Sequence, residues 1–296
     1  MTSTSKYLPK PSSTLRLASL NLLYKSLNLE LRLNSLIEEL KIINCDVLCL
    51  QEVVSANQYP VIERLSEELG FIANFAKLEI PEMLTGALYG PAILSKIPEE
   101  HFGVMSQSNL HLDGFITPQP ILTSSFLYNG YTVYIINTHL TWGSHATGAR
   151  TRQVERISQY ARGLREIEPQ AVILLAGDLN CAEESTPIRF FKGLTETSSG
   201  ENTLWVDAWG ASGSPANAIT NDPTMPLATT TAQQRFGFFD TNFTPKRRID
   251  YIFAYEWCYG RPGYPLTFER FADDPAVEIS DHFGIYSDIF LPNIVI

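Results

Sequence analysis

The stretch Val172-Ile173-Leu174-Leu175-Ala176-Gly177-Asp178-Leu179-Asn180 constrains this chain more than any other. Four consecutive branched apolar residues predict a strand covered on both faces, as happens in sheets enclosed between other layers. The run ends on a small residue, a glycine, then an acid and an amide one residue apart. Glycine permits a sharp turn or a close backbone approach, and extended geometry sends Asp178 and Asn180 to the same side. The segment reads as a buried strand delivering two polar side chains to a rim. The same letters also suit an ordinary Gly-Asp turn.

The segments around it alternate strand and helix at first. Leu15 to Asn21 alternates apolar and polar residues, a strand pattern ending on Asn21. Leu29, Leu33, Leu36, Ile37, Leu40 and Ile43 then recur at helical spacing, with Arg32, Glu38, Glu39 and Lys41 on the other face. Val47 to Glu52 predicts a second strand, and the stripe of Ile62, Leu65 and Leu69 a second helix from about Asn57. Past Phe71 the runs are short and broken by Gly and Pro: Tyr89 to Lys96, Ile121 to Tyr128, Tyr131 to His139. Asn129-Gly130 between the last two predicts a tight antiparallel hairpin.

Helices are expected over Arg150–Arg165 and Pro187–Leu194, and strands over Ile249–Tyr255, Thr267–Phe271 and Phe283–Leu291. Thr197 to Lys246 shows little periodicity and predicts a long loop, functional or disordered. Residues 1–13, polar and rich in Ser, Thr and Pro, predict a flexible tail ahead of one domain over residues 14–296.

Composition narrows the partners. Lys and Arg number 22 against 32 Asp and Glu, a net charge of −10, so no global basic field exists to grip long nucleic acid. Carboxylates that hold divalent cations nevertheless make an acidic protein attractive to phosphate once the metal is bound. Cys45, Cys49, Cys181 and Cys258 lie in or beside apolar segments without ligand spacing, and predict buried free thiols in a reducing compartment. With no apolar run of signal-peptide or membrane-spanning length, a soluble, cytoplasmic protein is expected.

The ends of the apolar runs share one chemistry. Asn21, Gln51 with Glu52, Asn137 with His139, Asp178 with Asn180, Asp250, and Asp281 with His282 are acids, amides or imidazoles. Gathered on one rim they make a hard-cation site, since Mg2+ is usually held by one or two carboxylates with waters and substrate phosphate. Each taken singly has a structural alternative. Glu52 could start a helix, Asp250 could pair with Arg247 or Arg248, and Asp281-His282 could cap a helix. Together they are hard to explain as caps.

Asn21, Leu50-Gln51-Glu52-Val53, Asn137-Thr138-His139-Leu140, Gly177-Asp178-Leu179-Asn180, Arg248-Ile249-Asp250-Tyr251-Ile252-Phe253 and Ser280-Asp281-His282 resemble, in order, the motifs of the endonuclease/exonuclease/phosphatase superfamily. The resemblance runs from Leu15 to Leu291. It implies an α/β (α+β) fold of the DNase I-like kind: a four-layer α/β/β/α sandwich of two packed, mixed, mainly antiparallel sheets with outer helices. It further implies an Mg2+-dependent hydrolase of phosphoric ester bonds, with Mn2+ able to substitute. By resemblance, Glu52 is the principal metal ligand, with Asn21 beside it and Asp281 near the ion. Asp178 orients or deprotonates the attacking water, Asn180 and His139 hydrogen-bond the phosphate, and His282, braced by Asp250, stabilises or protonates it.

His139 in a Thr-His-Leu context sets the chain apart from the apurinic endonucleases. It is similar there to neutral sphingomyelinases, tyrosyl-DNA phosphodiesterases and pancreatic-type deoxyribonucleases. Leu23 stands where many DNA-repair members have an acid. A nuclease-type phosphodiesterase acting on DNA, RNA or a phosphotyrosyl-DNA-like end is expected, in a monomer. The alternatives are a neutral-sphingomyelinase-like lipid phosphodiesterase, a small-molecule phosphatase acting on inositol phosphates or nucleotide-like compounds, and a non-catalytic interaction protein on the same fold. Substrate choice is expected in the loops 78–89, 102–119, 142–152 and 197–246. Trp142, Arg150 and Arg152 are the expected substrate contacts, and Lys246, Arg247, Arg248, Phe236, Phe238 and Phe239 supply further cations and aromatics, which could equally be surface charge and loop anchors.

Overall fold

The computed structural model describes residues 6–24, 28–55, 60–79, 88–105, 120–143, 145–197, 200, 202–228, 245–256, 261–274 and 276–294, and fourteen strands and five helices are named among these described residues. In chain order these are β1 (Thr14–Asn21), α1 (Leu29–Ile43), β2 (Val47–Ser55), α2 (Val61–Leu69), β3 (Ile72–Phe75), β4 (Leu78–Glu79), β5 (Leu88–Ser95), β6 (Glu99–Met105), β7 (Ile121–Tyr128) and β8 (Tyr131–His139). There follow α3 (Thr147–Ile167), β9 (Val172–Asp178), α4 (Thr186–Phe191), β10 (Trp205–Asp207), α5 (Ala208–Ala211), β11 (Asp250–Tyr255), β12 (Tyr264–Pro265), β13 (Glu269–Phe271) and β14 (Gly284–Phe290).

The strands form two sheets. One runs β12-β14-β1-β2-β5-β3, with β13 added on β14 and β4 on β5; the other runs β10-β11-β9-β8-β7-β6. Among the described strands, only β1–β2 and β8–β9 pair in parallel, each joined by a helical crossover, α1 and α3. Alternation along each strand separates three cores. Leu15, Leu17, Val47, Cys49 and Ile93 meet Val133, Ile135, Val172, Leu174 and Ile252 between the sheets. Ala18, Leu20, Leu48 and Leu50 pack outward on Leu33, Leu36, Ile37 and Leu40 of α1 and Leu65 of α2. Ile173, Leu175 and Phe253 pack outward on Val154 and Ile157 of α3 and Ile188, Phe190 and Phe191 of α4. The unbroken apolar run of β9 thus has a physical cause: both of its faces are core. The architecture is the expected α/β/β/α sandwich.

Several boundaries moved. The second helix starts at Val61, the third extends to Thr147 and Ile167, and β13 begins only at Glu269. Within the expected 197–246 loop, Trp205–Asp207 is an edge strand on β11 and Ala208–Ala211 a helical turn, because Asp207 caps it by accepting from the Trp209 N–H. Residues 6–13 are not a loose tail. Tyr7 is buried and stacks edge-on against Tyr286 at 6.0 Å, Lys6 pairs with Glu39 and Asp273, and Lys10 with Asp46. Cys45, Cys49 and Cys181 are buried and free, and burial pushes the Cys45 thiol up to about 12; Cys258 lies outside the described residues. No helix among the described residues is long and apolar enough to cross a membrane.

One polar residue sits where the two sheets meet. Asn137 of β8 is fully buried, and its amide nitrogen donates across the interface to the carbonyls of Leu50 in β2 (2.9 Å) and Ala92 in β5 (2.8 Å). Its oxygen accepts from Gln51 Nε2 at 2.8 Å. Leaving such groups unpaired costs roughly 1–3 kcal/mol each. Asn137→Leu, which keeps the volume and removes the donors, should lower unfolding free energy by about 2–4 kcal/mol in a urea titration; an unchanged midpoint would show that the amide is dispensable.

Candidate active site

The two parallel crossovers decide where the polar residues gather. Because β1 and β2 run in parallel, as do β8 and β9, their C-terminal ends share a rim, carrying Asn21, Glu52, His139 and Asp178. The antiparallel neighbours start at that rim, so Asp250 opens β11 opposite Asp178, and His282 lies just ahead of β14. Asp250 therefore begins its strand and His282 precedes one, rather than ending them. This corrects the sequence expectation without moving either residue off the rim.

Local backbone aims each side chain. Between Leu50 and Val53 the β2–β5 register slips, and Glu52 takes φ 54°. Such a bulge turns a side chain out of the ladder. Gly177 packs so tightly on β8 that a Cβ would lie 1.9 Å from the Thr138 carbonyl oxygen, so nothing larger fits. That approach sets His139 beside Asp178. Asn180 does not continue the extended alternation. Its φ is 50°, its N–H donates to Asp178 Oδ1 at 2.8 Å, and its side-chain nitrogen donates to the Leu140 carbonyl at 3.0 Å.

Asp178 Oδ2 is the centre of the cluster. Asn21 Nδ2 donates to it at 3.0 Å and to Glu52 Oε1 at 3.2 Å; His139 Nε2 lies 3.4 Å from it and His282 Nε2 3.9 Å. His139 Nε2 is also 3.9 Å from Glu52 Oε1. His282 Nδ1 is hydrogen-bonded to Asp250 Oδ2 at 2.9 Å. Burial works to lower the His282 pKa, but the charges of Asp250, Asp178 and Asp281 prevail and hold it well above the usual imidazole range. Burial, with help from Asp178, pushes the Asp250 carboxyl up against the opposing pull of His282. Asp281 is tied in through its neighbour: Ser280 Oγ donates to the Asn21 carbonyl at 2.5 Å and lies 3.3 Å from Asp281 Oδ1.

Two places on this rim offer ligands to a cation. Single ligand atoms of Asp178, Asp250 and His282 lie within 4.8 Å of one another. That trio fits a solvated metal less well, because all three residues are buried and His282 Nδ1 and Asp250 Oδ2 are already engaged with each other. Glu52 fits better. Its side chain is 16% exposed, against 2% for Asp178, so it can hold an ion that keeps most of its water. Asn21 presents its nitrogen, not its oxygen, to Glu52, while its Oδ1 accepts the Leu23 N–H at 3.1 Å. As oriented, Asn21 is a donor between two carboxylates, and the expected ligand role requires the amide turned over.

Residues 18–282 match the model of the Endonuclease/Exonuclease/phosphatase family. The chain belongs to this family. A curated relative, the probable CCR4-Not complex 3'-5'-exoribonuclease subunit Ccr4 of Encephalitozoon cuniculi, is 25% identical over 260 residues, covering 77% of this chain and 48% of the relative. The chain thus spans about half the length of that protein. Among solved structures, TDP2 from C. elegans superposes with a TM-score of 0.70 at 20% identity, over 95% of this chain and 76% of that one. The catalytic domain of human Nocturnin gives 0.65 at 17%, over 95% and 96%. At these identities the structural likeness speaks for the DNase I-like fold.

Within this family member the expected substrate contacts divide. Trp142 is partly exposed just past His139, and Arg152 is exposed on the first turns of α3. Arg150 is 5% exposed, and its Nη1 donates to the carbonyls of Thr141 (2.9 Å) and Gly143 (2.7 Å). Gln153 completes the clamp, accepting the Thr141 N–H and donating to its hydroxyl. Arg150 is therefore a brace for the Trp142 loop rather than a phosphate contact. Arg248 is likewise internal, bidentate to Asp207 and sandwiched between the Trp209 and Tyr251 rings, so Asp250 keeps its histidine. Lys246 pairs with Asp222. Phe236, Phe238, Phe239 and most of the 78–89 and 102–119 loops lie outside the described residues.

The supports behind the site leave no pattern in the sequence. Arg32, assigned to the polar face of α1, is buried and donates to the carbonyls of Leu22, Leu23 (3.1 Å) and Ile279 (2.6 Å), tying together the segments after Asn21 and before Asp281. Burial lowers its pKa to about 10, against the pull of Asp281 and Glu52. A charged letter at a helical surface position carries no signal of this. Arg150→Ala should lower the melting temperature by several degrees, roughly 1–3 kcal/mol, whereas Arg152→Ala should leave it unchanged; thermal denaturation of the two variants separates brace from surface cation.

Proposed function

We propose that the rim is a divalent-cation-dependent phosphodiesterase centre of nuclease type. The observation that carries the reading is the Asp178 carboxylate, seated among His139, His282 and Asn21 and a short reach from partly exposed Glu52. Glu52, with Asp281 near it, would hold Mg2+, or Mn2+ in its place, and the ion when bound would supply charge stabilisation to a phosphate oxygen.

This chain's own groups account for the remaining roles. In-line attack builds negative charge on the non-bridging and leaving oxygens of the phosphate, so donors aimed there lower the barrier. His282, whose Nδ1 is held by Asp250, directs Nε2 toward the cluster and keeps its proton for the phosphate or the leaving oxygen. His139 Nε2 and the Asn180 amide are the further donors to the phosphate. Asp178, beside two imidazoles, orients the attacking water and takes its proton. Trp142 and exposed Arg152 flank the approach as substrate contacts.

Nucleic acid is the favoured substrate. The matched relative is named an exoribonuclease, and zebrafish TDP2, a structure with a TM-score of 0.69 to this one, was solved with a single-strand DNA product. A net charge of −10 suits a short single strand or an end better than a long duplex tracked through its phosphates. The buried free thiols suit a reducing compartment, the cytoplasm, and the enzyme is read as a monomer.

Hydrolysis of bis-p-nitrophenyl phosphate should require Mg2+ or Mn2+, vanish in EDTA, and fall at least about 10³-fold in Glu52→Ala and Asp178→Asn. Metal-independent turnover, or an active Glu52→Ala, would contradict the mechanism. A panel of single-stranded DNA, RNA, a 5'-phosphotyrosyl oligonucleotide, inositol phosphate and sphingomyelin then decides the class, with turnover expected on the nucleic acids. Activity confined to sphingomyelin or inositol phosphate would overturn the nuclease reading.

A further inference from the structure

Asp250 and His282 meet at 2.9 Å although they belong to different sheets, so their spacing depends on how the sheets are held at this rim. A short segment, Ile219 to Asn221, runs between them. Asn221 forms isolated bridges with Arg247, which precedes β11, and with His282, which precedes β14. The N–H groups of Thr220 and Asn221 both donate to the Arg247 carbonyl (3.0 and 2.9 Å), Arg247 N–H donates back to the Asn221 carbonyl (3.0 Å), and Phe283 N–H donates to the Thr220 carbonyl (2.8 Å). Arg270 secures the approach by donating to the Ile219 carbonyl at 3.0 Å, its guanidinium 4.2 Å from the Phe283 ring centroid.

The Thr220 side chain adds what backbone pairing alone does not. It is fully buried, and its hydroxyl oxygen accepts the N–H groups of Ile249 (3.0 Å) and Asp250 (3.1 Å). One side chain thereby fixes the backbone that launches Asp250, while its own carbonyl fixes the residue after His282.

We propose that Thr220 is a positioning residue for the Asp250–His282 pair, stitching the two sheets so that the carboxylate meets the imidazole. The proposal rests on the reading of that pair as catalytic. Displacements of about 1 Å at such a pair can cost on the order of 10²-fold in rate. Steady-state hydrolysis of bis-p-nitrophenyl phosphate with Mg2+ tests it. Thr220→Val, which keeps the shape and loses the acceptor, should lower kcat about 10- to 50-fold with KM within about 2-fold, while Thr220→Ser stays within about 3-fold of the parent. Adding Thr220→Val to His282→Ala should cost nothing further, because the partner it positions is gone.

Wild-type kcat in Thr220→Val, or a loss that persists in full on the His282→Ala background, would overturn the positioning role. Should Thr220→Val fail to fold, the serine variant still decides, since a tenfold loss there contradicts the proposal. Full activity in His282→Ala would instead bring down the catalytic reading of the pair, an outcome distinguishable from the others.

Discussion

The architecture depends on a hydrogen-bonded amide at the interface between the sheets. Asn137 spans from β8 to the carbonyls of Leu50 and Ala92, on the flank of the bulge that presents Glu52, and two residues later the same strand presents His139. A bulge is a local weakness in a ladder, and here a group from the opposing sheet supports it. The acid at the bulge and the imidazole at the end of β8 are thus set relative to each other by one buried side chain.

Around that support, unlike charges are placed close and like charges are separated by donors. Asn21 lies between Glu52 and Asp178, and two imidazoles face Asp178. Behind them Arg32 brings a buried cation within electrostatic reach of Glu52 and Asp281 while holding the carbonyls of the segments beside Asn21 and Asp281. Buried charge of one sign is costly unless paired or hydrogen-bonded, so a cluster of acids needs this surrounding of donors to persist in a folded protein. Glu52 lies at the more exposed end of the cluster, where a solvated cation can approach.

Much of this was legible in the sequence because strand ends leave a strong trace. An apolar run that stops at an acid, amide or imidazole is visible without a structure, and Asn21, Glu52, His139 and Asp178 carry that trace, whereas Asp250 and His282 stand ahead of the apolar runs of β11 and β14. The Asn129-Gly130 hairpin was equally plain, since the turn chemistry is local. What stayed hidden were residues whose partners are distant in sequence. Asn137 looked like another rim residue and is an inter-sheet support; Arg150 looked like a phosphate ligand and is tied to Thr141 and Gly143; Thr220 was one letter in an aperiodic loop. Periodicity reports which face of an element is covered, not which buried polar group answers which. The packing of Tyr7 on Tyr286 escaped for the same reason, since a lone aromatic among Ser and Pro has no pattern.

In the proposed mechanism Glu52, on the bulge, and not the buried Asp178–Asp250–His282 trio, would hold the cation. The most direct measurement is Mn2+ binding to the free protein followed by electron paramagnetic resonance, comparing the parent with Glu52→Gln and Asp250→Asn. The account predicts a specific site that is lost in Glu52→Gln and retained in Asp250→Asn. Binding kept in Glu52→Gln and abolished in Asp250→Asn would contradict it.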